Sequence, residues 1–248
     1  MKLRLDKLLV DRGLAPSRER AQGLIIAGKV LVNDQKIDKA GAQVVAESAI
    51  RLLGEDQKYV SRGGLKLERA LEHWDIDVKG AVCLDVGAST GGFTDCLLQH
   101  GARRVIAVDT GYGQMAFKLR QDPRVRLLEK TNARYLKSEV VEIVNLIVID
   151  VAFISATLVL PAVVNAAFPQ SEEDRRGRQA IVLVKPQFEA GREFVGKGGI
   201  VRDEAAQLAS VEKVKKALLD LACSEVDVID SPILGAEGNR EFLLRAIF

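Results

Sequence analysis

The stretch LDVGASTGGFTDCLLQHGARRVIAVD, residues 84–109, decides the fold. An apolar run ends at Asp85-Val86, a turn containing Gly87, Gly91 and Gly92 follows, a helix-length segment comes next, and a second apolar run ends in Asp109. Glycines in such a turn permit positive φ and let a ligand approach the backbone closely. A carboxylate at the tip of the second strand can accept the hydroxyls of a nucleoside ribose. The frame G-A-S-T-G-G is not G-x-G-x-x-G, and no G-K-[ST] follows, which weakens both dinucleotide and P-loop readings.

Outward from this unit the same rhythm continues. AVCLDV, RVIAVD, NLIVID and AIVLVK are short runs rich in Val and Ile, spaced by helical or loop segments. Near-continuous apolar strands are expected of a parallel sheet covered on both faces. Residues 203–221 repeat apolar side chains at helical spacing and predict an amphipathic helix. Two late runs, EVDVID and EFLLRAIF, extend or end the sheet. The fold expected is a doubly wound, Rossmann-like α/β domain. Such a sheet works at the carboxyl ends of its strands. There Asp150 ends NLIVID, Lys185 ends AIVLVK, and Glu241 opens the last strand, while Lys66 lies just ahead of the fold in VSRGGLKL.

The first part of the chain differs in kind. Leu5, Leu8 and Leu9 share one helical face, Gly13 stops that helix, and Ser17 is an N-cap for a second helix carrying Ala21, Leu24 and Ile25. Val30–Val32 reads as a strand, Asn33-Asp34 as a turn, and 49–52 as another strand. The expected division is a small α+β domain over 1–58, a linker over 59–64, and the α/β domain over 65–248. Formal net charge is only +2, but residues 1–66 hold 13 basic and 8 acidic side chains against 23 and 26 in the remainder. That asymmetry points to a polyanionic partner for the N-terminal region.

Other classes recede. Cys83, Cys96 and Cys223 lie far apart and the histidines number two, so no zinc-ligand spacing exists and no metal is expected. The start MKLRLDKLL interleaves charge with its apolar residues and is not a secretion signal. The uncharged run 151–171 is interrupted upstream by Asp150 and contains Pro161 and Asn165. A mid-membrane Asp costs roughly 2.5–3.5 kcal/mol, so a buried strand and a covered helix over 155–167 are expected instead of a span. A cytoplasmic protein follows from these readings.

Three resemblances sharpen the picture. RLDKL, SRERA and IIAGKVLVN, within residues 4–52, resemble the small RNA-binding domain first known from a ribosomal small-subunit protein. The resemblance implies RNA phosphate and shape contacts from a basic face, here Arg4, Lys7, Arg18, Arg20 and Lys29, with Arg62 at the junction of the two domains. The glycine turn is similar to the cofactor site of class I methyltransferases. It implies S-adenosyl-L-methionine held by Asp85, Gly87, Ala88, Ser89, Thr90, Gly91 and Gly92, by Asp109 at the ribose and by Asn132 near the adenine. Lys66, Asp150, Lys185 and Glu241 together resemble the tetrad of the heat-shock-type RNA 2′-O-ribose methyltransferases. The strings VSRGGLKL, DVAFIS, VKPQFE and GNREFLL resemble their haemolysin-A/TlyA-type branch.

The resemblance implies methylation of ribose, at a cytidine of ribosomal RNA and mainly in the large subunit. Chemically, a ribose hydroxyl must lose its proton as the methyl arrives, and a lysine serves as base only when burial or a like charge disfavours its ammonium form. Lys185 is the expected base and Lys66 the holder of the hydroxyl. Arg62-Gly63-Gly64 is either a hinge or a contact that couples RNA recognition to the cofactor site, and the glycine-rich loop beyond Lys185 is expected to be a lid. Two other functions compete: a haemolysin-like membrane-acting protein, and a non-catalytic RNA-binding assembly factor.

Overall fold

The computed structural model describes residues 2–53, 58–139, 141–168 and 171–248. Two compact units divide the chain, residues 1–56 and 57–248. The boundary expected near residue 58 adjoins residues 54–57, which lie outside the described residues.

The smaller unit runs β1 (Lys2–Arg4), α1 (Leu5–Asp11), α2 (Arg18–Ile26), β2 (Val30–Val32), β3 (Gln35–Lys36), β4 (Gln43–Val45) and β5 (Ile50–Leu52). Leu5, Leu8 and Leu9 of α1 pack on Ala21, Leu24 and Ile25 of α2. Ser17 Oγ accepts from the Arg20 N–H at 3.2 Å, capping α2. Asn33 and Asp34 take φ of 49° and 61° in the turn from β2 to β3, which asparagine and aspartate tolerate better than most residues. The antiparallel pair β1–β4 is a feature the charged strings around it did not announce.

The larger unit contains α3 (Gly63–His73), β6 (Val82–Val86), α4 (Gly92–Gln99), β7 (Arg104–Val108), α5 (Phe117–Arg120), β8 (Val125–Leu128), β9 (Leu146–Ile149), α6 (Leu160–Ala167), α7 (Glu172–Arg175), β10 (Gln179–Val184), α8 (Pro186–Glu189), α9 (Glu204–Leu219), β11 (Glu225–Asp230) and β12 (Phe242–Ile247). The sheet order is β11-β12-β10-β9-β6-β7-β8. β10, β9, β6, β7 and β8 are mutually parallel. β12 alone runs against both its neighbours.

Successive residues of each central strand enter opposite layers. Val82, Leu84 and Val86 meet Leu160 and Val163 of α6 and Val211 and Val214 of α9. Cys83 faces the other way, towards Leu67 and Leu71 of α3 and Leu97 of α4. Both faces are covered, which is why the strands read as unbroken apolar runs.

Two expectations are revised. Residues 59–64 pack as part of the larger unit rather than as a linker: Tyr59 is buried and α3 begins at Gly63. The helix expected from residue 155 begins as a separate 3-10 turn, Ala156–Leu158, and α6 starts only at Leu160. Pro161 lacks an N–H and fits only a first helical turn. The far end of the segment expected to be a lid is anchored to the approach to β12. Asn239 Nδ2 donates to the Gly199 carbonyl at 2.8 Å and its Oδ1 accepts from the Val201 N–H at 2.9 Å.

Candidate active site

The site lies at the carboxyl ends of β6, β7, β9 and β10. Gly87 follows β6 with φ of 85°. A Cβ there would stand 2.4 Å from the Asp150 carbonyl oxygen, so the residue lets the glycine turn lie directly on the tip of β9. Gly92 does the same on the other side. A Cβ would come within 2.3 Å of Ser61 Oγ and 3.0 Å of the Gly64 nitrogen. The glycine pairs 63–64 and 91–92 thereby bring the start of α3, which carries Lys66, onto the start of α4. Gly63 and Gly64 are packed there within the larger unit.

Two cavities open on this turn. The larger, about 620 Å³, is lined by Gly87, Ser89, Asp109, Asn132, Asp150 and Lys185 among others. The smaller, about 240 Å³, is lined by Arg62, Lys66, Gly87, Ala88, Ser89, Thr90, Gly92 and Asp150. Asp150, Gly87 and Ser89 face both. Asp109 Oδ2 accepts from the Ser89 N–H at 2.7 Å and Oδ1 from the Gly111 N–H at 2.6 Å. Each carboxylate oxygen retains a second acceptor site, so the carboxylate is fixed in place and still able to take hydroxyls. Asn132 Oδ1 accepts from the Arg134 N–H at 3.0 Å, capping a short 3-10 turn on the cavity wall.

The four chemistry-bearing side chains form two ion pairs. Lys66 is paired with Glu241, and both are almost fully buried. Lys185 Nζ stands 2.6 Å from Asp150 Oδ1, with both side chains still partly accessible. Among the described residues, no group of three or more His, Cys, Asp and Glu could hold a metal.

Asp85 and Gly91 line neither cavity. Asp85 is wholly buried behind the turn, where its Oδ2 accepts from Thr94 Oγ1 at 2.6 Å. Burial, with lesser contributions from Asp150 and Asp109, pushes its carboxyl up to about 7 despite that hydrogen bond. Gly91, at φ of 95°, makes room for Leu119 beneath the turn. Several lining residues carry no sequence signal of their own: Thr110, Gly111, Gln114 and Phe153. Phe153 follows the tip of β9, is 93% exposed, and contacts Phe188 at 5.4 Å between ring centroids.

In the smaller unit, the basic side chains are organised by a carboxylate that charge counting overlooked. Asp6 is fully buried and receives Arg4 at 2.9 Å, Arg18 at 3.1 Å and Gln22 at 2.9 Å. Those contacts, led by the Arg4 hydrogen bonds, hold its carboxyl below the usual carboxylate range. Lys7 is exposed, and Arg20 and Lys29 are half-buried.

A parallel sheet with an inserted antiparallel strand, and a glycine turn on which two cavities open with the Asp109 carboxylate beside it, fit a methyltransferase of the Rossmann-like class. The chain belongs to the FtsJ-like methyltransferase family, whose model matches residues 59–248, and it carries an S4 domain over residues 3–50. It is 45% identical to the Mycobacterium tuberculosis 16S/23S rRNA (cytidine-2′-O)-methyltransferase TlyA, across 97% of this chain and 88% of the relative. It is 41% identical to Hemolysin A of Brachyspira hyodysenteriae, across 99% of this chain and 100% of the relative. A solved Streptococcus thermophilus structure with a provisional hemolysin name matches with a TM-score of 0.72 at 42% identity, covering 99% of this chain and 88% of that one. Among the described residues, no helix is long and apolar enough to cross a membrane.

Proposed function

We propose that the chain methylates the 2′-hydroxyl of a cytidine ribose in ribosomal RNA, in the large subunit, using S-adenosylmethionine. The observation that carries this reading is the pair of lysine–carboxylate contacts, Lys66 with Glu241 and Lys185 with Asp150, beside the cavity that holds Asp109. The donor set suits the cofactor: a carboxylate with free lone pairs for ribose hydroxyls, a glycine turn admitting close approach, and Asn132 on the wall. When bound, S-adenosylmethionine supplies an already activated methyl group, so the protein's task is orientation.

Lys66, held by Glu241, orients the ribose hydroxyl. Lys185 first gives up its ammonium proton to solvent; its neutral Nζ then accepts the hydroxyl proton as the oxygen takes the methyl group, and Asp150 at 2.6 Å stabilises the ammonium that is re-formed. Arg62, on the wall of the smaller cavity, contributes positive charge near the entering RNA. Arg4 and Arg18, gathered by the buried Asp6, provide phosphate contacts in the smaller unit, joined by Lys7, Arg20 and Lys29. The substrate makes the cytoplasm its place of work. The names of the relatives and the S4 domain support RNA as the partner.

The test is to incubate Lys185→Ala with labelled cofactor and ribosomal subunits. Methyl transfer should fall by about 100-fold or more, with thermal unfolding unchanged. Transfer at the wild-type rate by a folded variant overturns the assignment. Mapping 2′-O-methylation in ribosomal RNA from cells with and without the gene identifies the nucleotide.

A further inference from the structure

The 2.6 Å contact between Lys185 and Asp150 is not set by the sheet alone. The β9–β10 ladder ends at Ile149 opposite Val182. Asp150 directly follows that pair, its N–H donating to the Val86 carbonyl at 2.9 Å, while Lys185 follows Val184, which pairs with Phe242 of β12, and precedes α8. The two backbones are thus tied to different neighbouring strands, and the β9–β10 pairing does not itself set how the two side chains meet.

Glu189 does so by its contacts. It ends α8, four residues beyond Lys185, and its side chain is only 2% exposed. Its Oε1 accepts from the Ala156 N–H at 2.6 Å, and its Oε2 accepts from Ser155 Oγ. Ser155 and Ala156 close the loop that begins at Asp150. From behind, Lys213 of α9 stands 3.1 Å from Glu189 Oε2 and donates to the Glu189 carbonyl at 2.9 Å. A closed circuit results: Asp150, its loop to Ser155, Glu189, α8, and back to Lys185. A buried carboxylate with two hydrogen-bond donors and one cation is costly to leave half-satisfied, so the circuit resists opening at that point.

We propose that Glu189 is a positioning residue that fixes the separation of Lys185 and Asp150, with Lys213 as its anchor. It lines neither of the two cavities on the glycine turn, and it acts through the segments that carry Asp150 and Lys185. This inference rests on the methyltransferase reading given above.

The test uses Glu189→Gln and Lys213→Met in the full-length protein, with two readouts. In single-turnover methyl transfer to ribosomal subunits, Glu189→Gln should lower the rate by about 10- to 100-fold, because small misplacements at a reacting centre are amplified. KM for the subunit and the calorimetric Kd for cofactor should stay unchanged. Lys213→Met should show a smaller loss, and the double variant should be no slower than Glu189→Gln alone. The second readout is acetylation of Lys185 by acetic anhydride, followed by mass spectrometry with the exposed Lys7 as internal reference. It should accelerate in Glu189→Gln as Lys185 is released from Asp150. Unchanged Lys185 labelling, or a rate loss matched by lost cofactor binding, overturns the proposal. If the wild-type protein transfers no methyl group to ribosomal subunits, the functional reading fails, while the labelling comparison still decides the positioning claim.

Discussion

At the scale of single residues, Asp85 carries an energetic cost that its surroundings make visible. Its carboxyl sits at about 7 in the folded chain, chiefly through burial, against roughly 3.9 when unfolded. Between those values the native protein keeps a proton that the unfolded chain has lost. Stability from this group is therefore fully present below about pH 4 and declines as pH rises towards 7. Asp85→Asn cannot ionise and keeps an oxygen for Thr94. Relative to wild type it should gain stability across that window, at up to ~1.4 kcal/mol per pH unit, and chemical denaturation at several pH values checks this. Equal pH dependence in the two proteins would refute the assignment of a neutral buried acid. The same residue illustrates what pattern reading misses. Asp85-Val86-Gly87 stood out as a motif, yet only the fold separates Gly87, which faces both cavities, from Asp85, which faces none.

At the scale of elements, the α3–α4 junction couples the shape of the chain's own glycine turn to the placement of Lys66. Gly92→Ala would push a methyl against Ser61 Oγ and against backbone at Gly64. The serine can rotate, whereas the backbone nitrogen cannot. A destabilisation of about 1–3 kcal/mol is expected for such overpacking, together with slower methyl transfer because α3 carries Lys66. Thermal unfolding and the transfer assay on one preparation test both. Strands were the most legible elements, since burial on two faces writes itself as Val and Ile runs. The β1–β4 pair was not, because Lys2–Arg4 and Gln43–Val45 are three residues each and half polar. Long-range partners were equally silent. Glu189 and Asn239 lie within VKPQFE and GNREFLL, but nothing in those strings names Ala156 or Gly199 as their partners.

At the scale of the whole molecule, the charge asymmetry changes meaning once the observed units replace an arbitrary cut. Residues 1–56 hold 10 basic and 8 acidic side chains, and residues 57–248 hold 26 of each. Three cations of the first 66, Lys58, Arg62 and Lys66, belong to the larger unit, where Lys58 pairs with Glu68 and Lys66 with Glu241. The smaller unit thus owes its expected RNA affinity to arrangement more than to excess charge, with Asp6 gathering two arginines at one place. Deleting residues 1–56 should weaken RNA binding and flatten its dependence on salt. The log–log slope should shrink by about 0.7–0.9 for each phosphate that the smaller unit neutralises in the intact protein. Cofactor affinity, measured by calorimetry, should be retained because both cavities are lined by the larger unit alone. An equal fall in both would contradict this division of labour.

The insertion of β12 between β10 and β11 sets the order in which the larger unit can assemble. Glu241 stands at the entry to that strand, 175 positions from its partner Lys66. β11 leaves the ribosome before β12 yet meets the sheet only through it. Closing so long a loop is slow compared with forming the local β–α units. A nascent chain can therefore fold its glycine turn and Asp109 early, while the Lys66–Glu241 contact waits for the final strand. The Lys66–Glu241 pair thus forms only once β12 has joined the sheet.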